Sequence, residues 1–190
     1  GPRREMDLSV FLDFDKKKFS DLPPSHHVGY VTLMPFALGM LCPSENRDQI
    51  SYLIATTIPA LLGPFGLMSL SPEDPFFQTG ESYWRGNVWA NMNLLVIGAL
   101  YGYERELLDE DLQLRARLLR DEIRSRWLTA MRTAWQEAGG PVEYLHPLTG
   151  KGGGVYPFAG WTAAAMVLLD DPDRQNWWTE AVGVNCLDRF

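Results

Sequence analysis

The sequence predicts an all-α fold, a series of antiparallel helices with long loops emerging at one end. Three observations predict it: apolar residues recur at helical spacing in successive segments, no stretch reads as a strong strand, and Pro- or Gly-rich loops separate the periodic stretches. With 46% hydrophobic and 12% aromatic residues, the chain has the composition of a folded domain with a real core.

From Phe11 to Ser25 charged and aromatic residues alternate up to Pro23-Pro24, an irregular lead-in. Thr32 to Leu41 carries Leu33, Phe36, Ala37, Met40 and Leu41 at helical spacing, with Pro35 tolerable in a first turn and Pro43 as the stop. Ser44 is the expected N-cap of a second helix, whose apolar face is Ile50, Leu53, Ile54, Ile58 and Leu61 and which Gly63-Pro64 ends. Phe65 to Trp84 is a loop of about twenty residues without periodicity, a length usually kept for function or disorder. A third helix is expected from about Gly86 to Tyr103, striped by Val88, Met92, Leu95, Val96, Ala99, Leu100 and Tyr103. A fourth runs from Asp109 to Ala138 with the stripe Leu112, Ala116, Leu119, Ile123, Trp127, Met131 and Ala134, its arginines largely facing away. Gly139-Gly140-Pro141 terminates it. A second loop, Val142 to Gly160, holds Gly152-Gly153-Gly154, read as a flexible rim, and leads into a last helix at Trp161 to Leu169.

Charge and composition exclude several functions. The net charge is -7 and cations are scattered apart from Lys16 to Lys18, so nucleic-acid binding is not expected. The apolar stretches Ile54 to Met68 and Leu94 to Tyr101 are broken or too short to span a bilayer, and the first residues carry no signal-peptide run. Cys42 and Cys186 are too few for a disulfide framework. His26, His27 and His146 lack metal-binding spacing, and Gly150 to Gly154 lacks the Ser/Thr of a phosphate loop; neither a metal nor a cofactor is expected.

Chemistry is expected where the two long loops end, because each ends at the start of an apolar helix and their polar and aromatic residues then share one rim. Seven tryptophans exceed what a core of this size needs, so some are expected to face a ligand. A sugar suits such a rim, since its hydroxyls take side-chain hydrogen bonds and its ring stacks on aromatics. Glu81 to Asn93 supplies both, with Trp89 and Asn93 on one helical face; packing and capping remain the alternative reading, and an ion-pair partner the alternative for Arg85. Glu143, at a loop start beside Tyr144, is a candidate base. On the residues alone an exposed, inert carboxylate is the first expectation there. Inverting glycoside hydrolysis needs an acid and a base carboxyl about 6.5–9.5 Å apart.

Four segments then carry a resemblance to glycoside hydrolase family 63, in particular its processing α-glucosidases. Gly29 to Pro35 is similar to a segment opening a barrel helix. Pro64 to Leu70 resembles the family's PFGLRSL loop, and Tyr83 to Asn93 its YWRG-x-[VI]-W-x-N-x-N signature without a gap. Glu143 to Phe158 and on to Gly160-Trp161-Thr162 resembles the stretch from the catalytic base to P-F-x-G-W-[TS]. The resemblance implies part of an (α/α)₆ toroid, incomplete at its N-terminal side, with domain limits 1–28 lead-in, 29–170 toroid part and 171–190 divergent tail. It implies Glu143 as general base and substrate contacts from Phe65, Tyr83, Trp84, Arg85, Gly86, Trp89, Asn93, Tyr144, Phe158 and Trp161. The implied substrate is a glucosylated high-mannose N-glycan, the implied setting the endoplasmic reticulum, and any membrane attachment would come from a segment outside this sequence. The family's acid, an aspartate in a G-[LM]-D-[DN]-Y-P-R type motif upstream, is not found here, so a fragment or partial gene model is expected. Two rivals are a prokaryote-type member acting on a small α-glycoside and an inactive helical module that binds sugar or protein. The Gly29 and Phe65 segments favour the processing type.

Overall fold

A computed structural model describes residues 27–107, 109–171 and 176–184; the lead-in expected over 1–28 and the end of the tail lie largely outside them. Helix α1 (Tyr30–Ala37) starts two residues earlier than the periodicity predicts, because Gly29 is extended and bridges Leu70. Pro35 therefore lies in the second turn, and the helix stops at Gly39 in the left-handed region (φ 66°) rather than at Pro43. Ser44 does not cap the next helix. Residues 43–45 form a turn in which Glu45 and Asn46 N–H both reach Cys42 O, and α2 (Arg47–Tyr52) begins after Asn46. It continues through a π-helical turn, Leu53–Thr57, into α3 (Ile58–Leu61). Pro59 lacks the N–H that a regular helix would use there, and the widened turn absorbs that loss. The predicted face, Ile50, Leu53, Ile54, Ile58 and Leu61, is buried throughout.

The sheets are minimal. Strand β1 (Leu62–Gly63) pairs antiparallel with β2 (Gly66–Leu67), and β3 (Val88–Trp89) pairs with β4 (Tyr144–Leu145), which pairs in turn with β5 (Gly152–Gly153). Helix α4 (Ala90–Glu106) thus begins four residues later than expected, since Gly86 closes a turn and Val88–Trp89 are committed to β3. Helix α5 (Glu110–Ala138) matches its expected limits: Asp109 caps it by accepting from Leu112 N–H at 3.0 Å, and Gly139 closes it at φ 78°. Its stripe is buried except for the half-buried Leu119. The arginines do not all face away: Arg120, only 12% exposed, and Arg117 clasp Glu104 of α4 at 2.7 Å each.

Helix α4 is central, packing on α1, α5, α6 (Trp161–Asp170) and α7 (Trp177–Ala181). Residues 177–181, expected only as divergent tail, put Trp178 into the core with its indole N–H on Ala37 O at 2.9 Å. Gly98 and Gly102 make room: a β-carbon on either would lie 2.6 and 2.3 Å from the Trp178 side chain.

Candidate active site

The rim is built by β3, β4 and the loop before them. Pairing of Val88–Trp89 with Tyr144–Leu145 brings Tyr83 beside Glu143, sixty residues on. The loop from Ser71 is pinned at both ends. Asp74 accepts from Phe76 N–H at 2.8 Å and lies 2.7 Å from His27 Nδ1. Burial pushes the Asp74 carboxyl up, but the Phe76 N–H and His27 outweigh it and hold it below its ordinary value. At the other end Gly86 N–H donates to Ser69 Oγ at 2.8 Å, in a backbone of φ 121° that a β-carbon would drive into Phe77 at 2.4 Å.

An aromatic shelf results. Trp84 stacks on Trp89 at 4.1 Å and 15°, and Tyr83, Tyr144 and Trp161 meet Trp89 at 4.6, 5.0 and 6.1 Å. Phe158 extends the row, 5.0 Å from Trp161. Trp89 is fully buried beneath the shelf, whereas Trp84 is 49% exposed and Trp161 36%. Trp84 lines a cavity of 640 Å³ with His27, Tyr30, Thr32 and Ser69, within the roughly 300–1,000 Å³ of ligand pockets. Tyr30 supports it from below: its hydroxyl donates to Leu67 O at 3.0 Å and accepts from Trp89 N–H at 3.1 Å, and burial pushes the phenol well above its ordinary range.

Glu143 lies at the edge of this shelf and is buried, 5% exposed, not the exposed carboxylate that the residues alone lead one to expect. Its Oε1 accepts from Tyr83 O–H at 2.5 Å and its Oε2 from Val155 N–H at 2.8 Å. The glycine run is not a flexible rim. Gly152 and Gly153 form β5, and Val142, Glu143 and Tyr144 lie where the missing β-carbons of Gly152, Gly154 and Gly153 would be, at 2.5, 2.2 and 2.6 Å. The run is the signal in the sequence that marks this close packing.

Residues 15–171 match the Glycosyl hydrolase family 63 C-terminal domain. The chain belongs to that family. It is 32% identical over 87% of its length to the probable mannosyl-oligosaccharide glucosidase of Schizosaccharomyces pombe, and 31% identical over 75% to the mannosyl-oligosaccharide glucosidase of Saccharomyces cerevisiae. It spans about a fifth of each of these relatives, 20% and 17%. The fold is similar to that of the GH63 mannosylglycerate hydrolase from Thermus thermophilus solved in complex with glucose, with a TM-score of 0.50 and 22% identity, covering 85% of this chain and 35% of that one.

Of the family 63 residues expected to touch substrate, the structure brings Tyr83, Trp84, Trp89, Tyr144, Phe158 and Trp161 together around Glu143 and sets others apart. Asn93 is fully buried: its Oδ1 accepts from Leu67 N–H at 2.8 Å, and its amide donates to Leu67 O and Trp89 O at 3.1 and 2.8 Å. With both donors used internally, it ties β2 to α4 and does not face a ligand. Gly86 serves the backbone as described above. Arg85 reaches Thr79 O at 3.1 Å and lies over the Phe76 ring at 5.5 Å, bracing its own loop. Phe65 packs on Gly150, at the turn of the β4–β5 hairpin, and lines a different groove with Arg126 and Lys151. Sequence reasoning missed the roles of Tyr30 and the Val155 N–H, which act through long-range packing or backbone and leave no residue-type signature, and it read Gly154 as part of a flexible rim although the glycine run was the available signal.

Proposed function

We propose that this chain carries the general base and part of the sugar shelf of an inverting family 63 α-glucosidase, one that removes the terminal α-1,2-linked glucose from N-glycan precursors in the endoplasmic reticulum. The observation that carries the reading is Glu143, a buried carboxylate at the edge of an aromatic shelf, each oxygen held by one donor. In this reading a glucose ring stacks on the exposed surfaces of Trp84 and Trp161, with Tyr144 and Phe158 closing the shelf. Glu143 takes the proton of a water that attacks the anomeric carbon from the face opposite the leaving group. A second carboxyl, from the remainder of an (α/α)₆ toroid, protonates the leaving oxygen, at a separation of about 6.5–9.5 Å. The relatives named mannosyl-oligosaccharide glucosidase match more of the chain than the Thermus thermophilus mannosylglycerate hydrolase, at 87% and 75% against 54%, which supports the oligosaccharide over a small glycoside.

The test is Glu143→Gln in an enzyme that carries this segment with the remainder of a family 63 catalytic domain. Glutamine keeps the shape and accepts no water proton, so kcat should fall at least about a hundredfold with KM nearly unchanged. A variant that keeps more than about a tenth of the parent kcat removes Glu143 from the mechanism.

A further inference from the structure

We propose that Tyr83 is a positioning residue: its phenol, together with the Val155 N–H and the bare α-carbon of Gly154, fixes one orientation of the Glu143 carboxylate instead of binding sugar. The inference rests on Glu143 being the base and adds how its lone pairs are aimed.

Two donors from separate segments hold the two oxygens, at 2.5 Å from Tyr83 and 2.8 Å from Val155. Rotating the carboxylate breaks both bonds at once. An ionised carboxylate offers about four lone-pair sites, so each oxygen keeps capacity for a water while its direction is set. Gly154, at φ 82°, lets the carboxylate lie across it; a β-carbon would stand 2.2 Å from Oε2.

Tyr83 has no freedom to swing toward a ligand. Its ring is boxed edge-on by Trp84, Trp89 and Tyr144 at 5.7, 4.6 and 5.6 Å. Its carbonyl accepts from Trp89 Nε1 and from Asn87 Nδ2, both at 3.2 Å. The phenol keeps its proton at working pH: the hydrogen bond to Glu143, then burial and the nearby negative charge, push it up to about 12. It therefore stays a donor, able to hold the direction of the ionised carboxylate.

The experiment compares Tyr83→Phe, Glu143→Gln and the double variant in an enzyme that carries this segment with the remainder of the catalytic domain. Phenylalanine retains the boxed ring, and near-ultraviolet circular dichroism of the tryptophan shelf checks that it does. Tyr83→Phe should lower kcat about ten- to a hundredfold, the scale of one hydrogen bond to a charged group, with KM within about twofold. In the Glu143→Gln background the same change should cost nothing further, because a residue acting through Glu143 has nothing left to position. A raised KM at unchanged kcat makes Tyr83 a sugar ligand and overturns the proposal, as does an additive loss in the double variant. If Glu143→Gln itself retains turnover, the base assignment fails first and takes the clamp with it, a result distinct from an inactive Glu143→Gln beside a fully active Tyr83→Phe.

Discussion

Alanine at Gly154 places a methyl group 2.2 Å from Glu143 Oε2 and in a backbone of φ 82°, so both contact and conformation oppose it. In a family 63 enzyme carrying this segment, Gly154→Ala is expected to lower kcat by about tenfold or more while the shelf still binds sugar, read as kcat against KM. The two stacked tryptophans should separate in the opposite sense. Trp84 is half exposed over the cavity and Trp89 fully buried, so Trp84→Ala should raise KM with little change in melting temperature. Trp89→Ala should destabilise by about 3–5 kcal/mol, as loss of a core aromatic does. Equal thermal losses for the two would contradict this division. Sequence spacing does not reveal it. Trp89 and Asn93 read as one helical face because they are four apart; the helix starts after Trp89, and Asn93 spends its amide on the strand β2 and on Trp89 O. That pairing partner is remote in sequence and absent from any local period.

At the scale of elements, legibility follows how local the determinants are. Helix α5 has its cap at Asp109, its left-handed stop at Gly139 and its stripe all within its own segment, and it lies where the sequence predicts. Helix α2 starts late because of a local turn closed on Cys42 O, whereas the starts of α1 and α4 shift because Gly29 and Val88–Trp89 answer to remote partners, Leu70 and the β4 strand. Helix α7 was illegible for the same reason: its anchor is the space above Gly98 and Gly102. Trp178→Ala should therefore cost about 3–5 kcal/mol of stability, measured by denaturant unfolding, although the residue lies beyond the family match and far from the site. A loss within error of zero would mean that α7 does not hold α1 and α4 together. The loop over 71–86 carries a pH dependence of definite sign. The Asp74 carboxyl is held below its ordinary value, so its anchoring is present above about pH 4 and lost as pH falls through the lower folded value. Asp74→Asn should remove that acid-side loosening, followed by hydrogen exchange at Phe76 N–H.

For the whole molecule, the partial toroid and the acid motif that the family resemblance places outside this sequence lead to two expectations about this segment by itself. Val31 on α1 is 85% exposed and Met40 just beyond it 65%, with Leu118 and Val167 exposed on α5 and α6. A partial (α/α)₆ toroid leaves helix faces without the neighbours they pack on, and apolar patches beyond a few hundred Å² seldom stay uncovered on monomers, so this segment by itself should associate with rising concentration, seen as an increasing sedimentation coefficient. Whatever its association state, it should release no glucose from an α-1,2-linked glucoside. On the proposed reading Glu143 takes a proton from water, but attack on the anomeric carbon must expel an alkoxide unless a carboxylic acid protonates the leaving oxygen on the other face of the ring. Each such proton transfer contributes typically about 10²–10⁴-fold, and the sequence holds no G-[LM]-D-[DN]-Y-P-R type motif to supply the acid. On that reading the shelf and Glu143 would bind and aim without completing the reaction. Glucose release by the purified chain above the uncatalysed rate, abolished by Glu143→Gln, would show that a carboxyl within these 190 residues serves as the acid, and would send the search for it to this chain's own aspartates and glutamates.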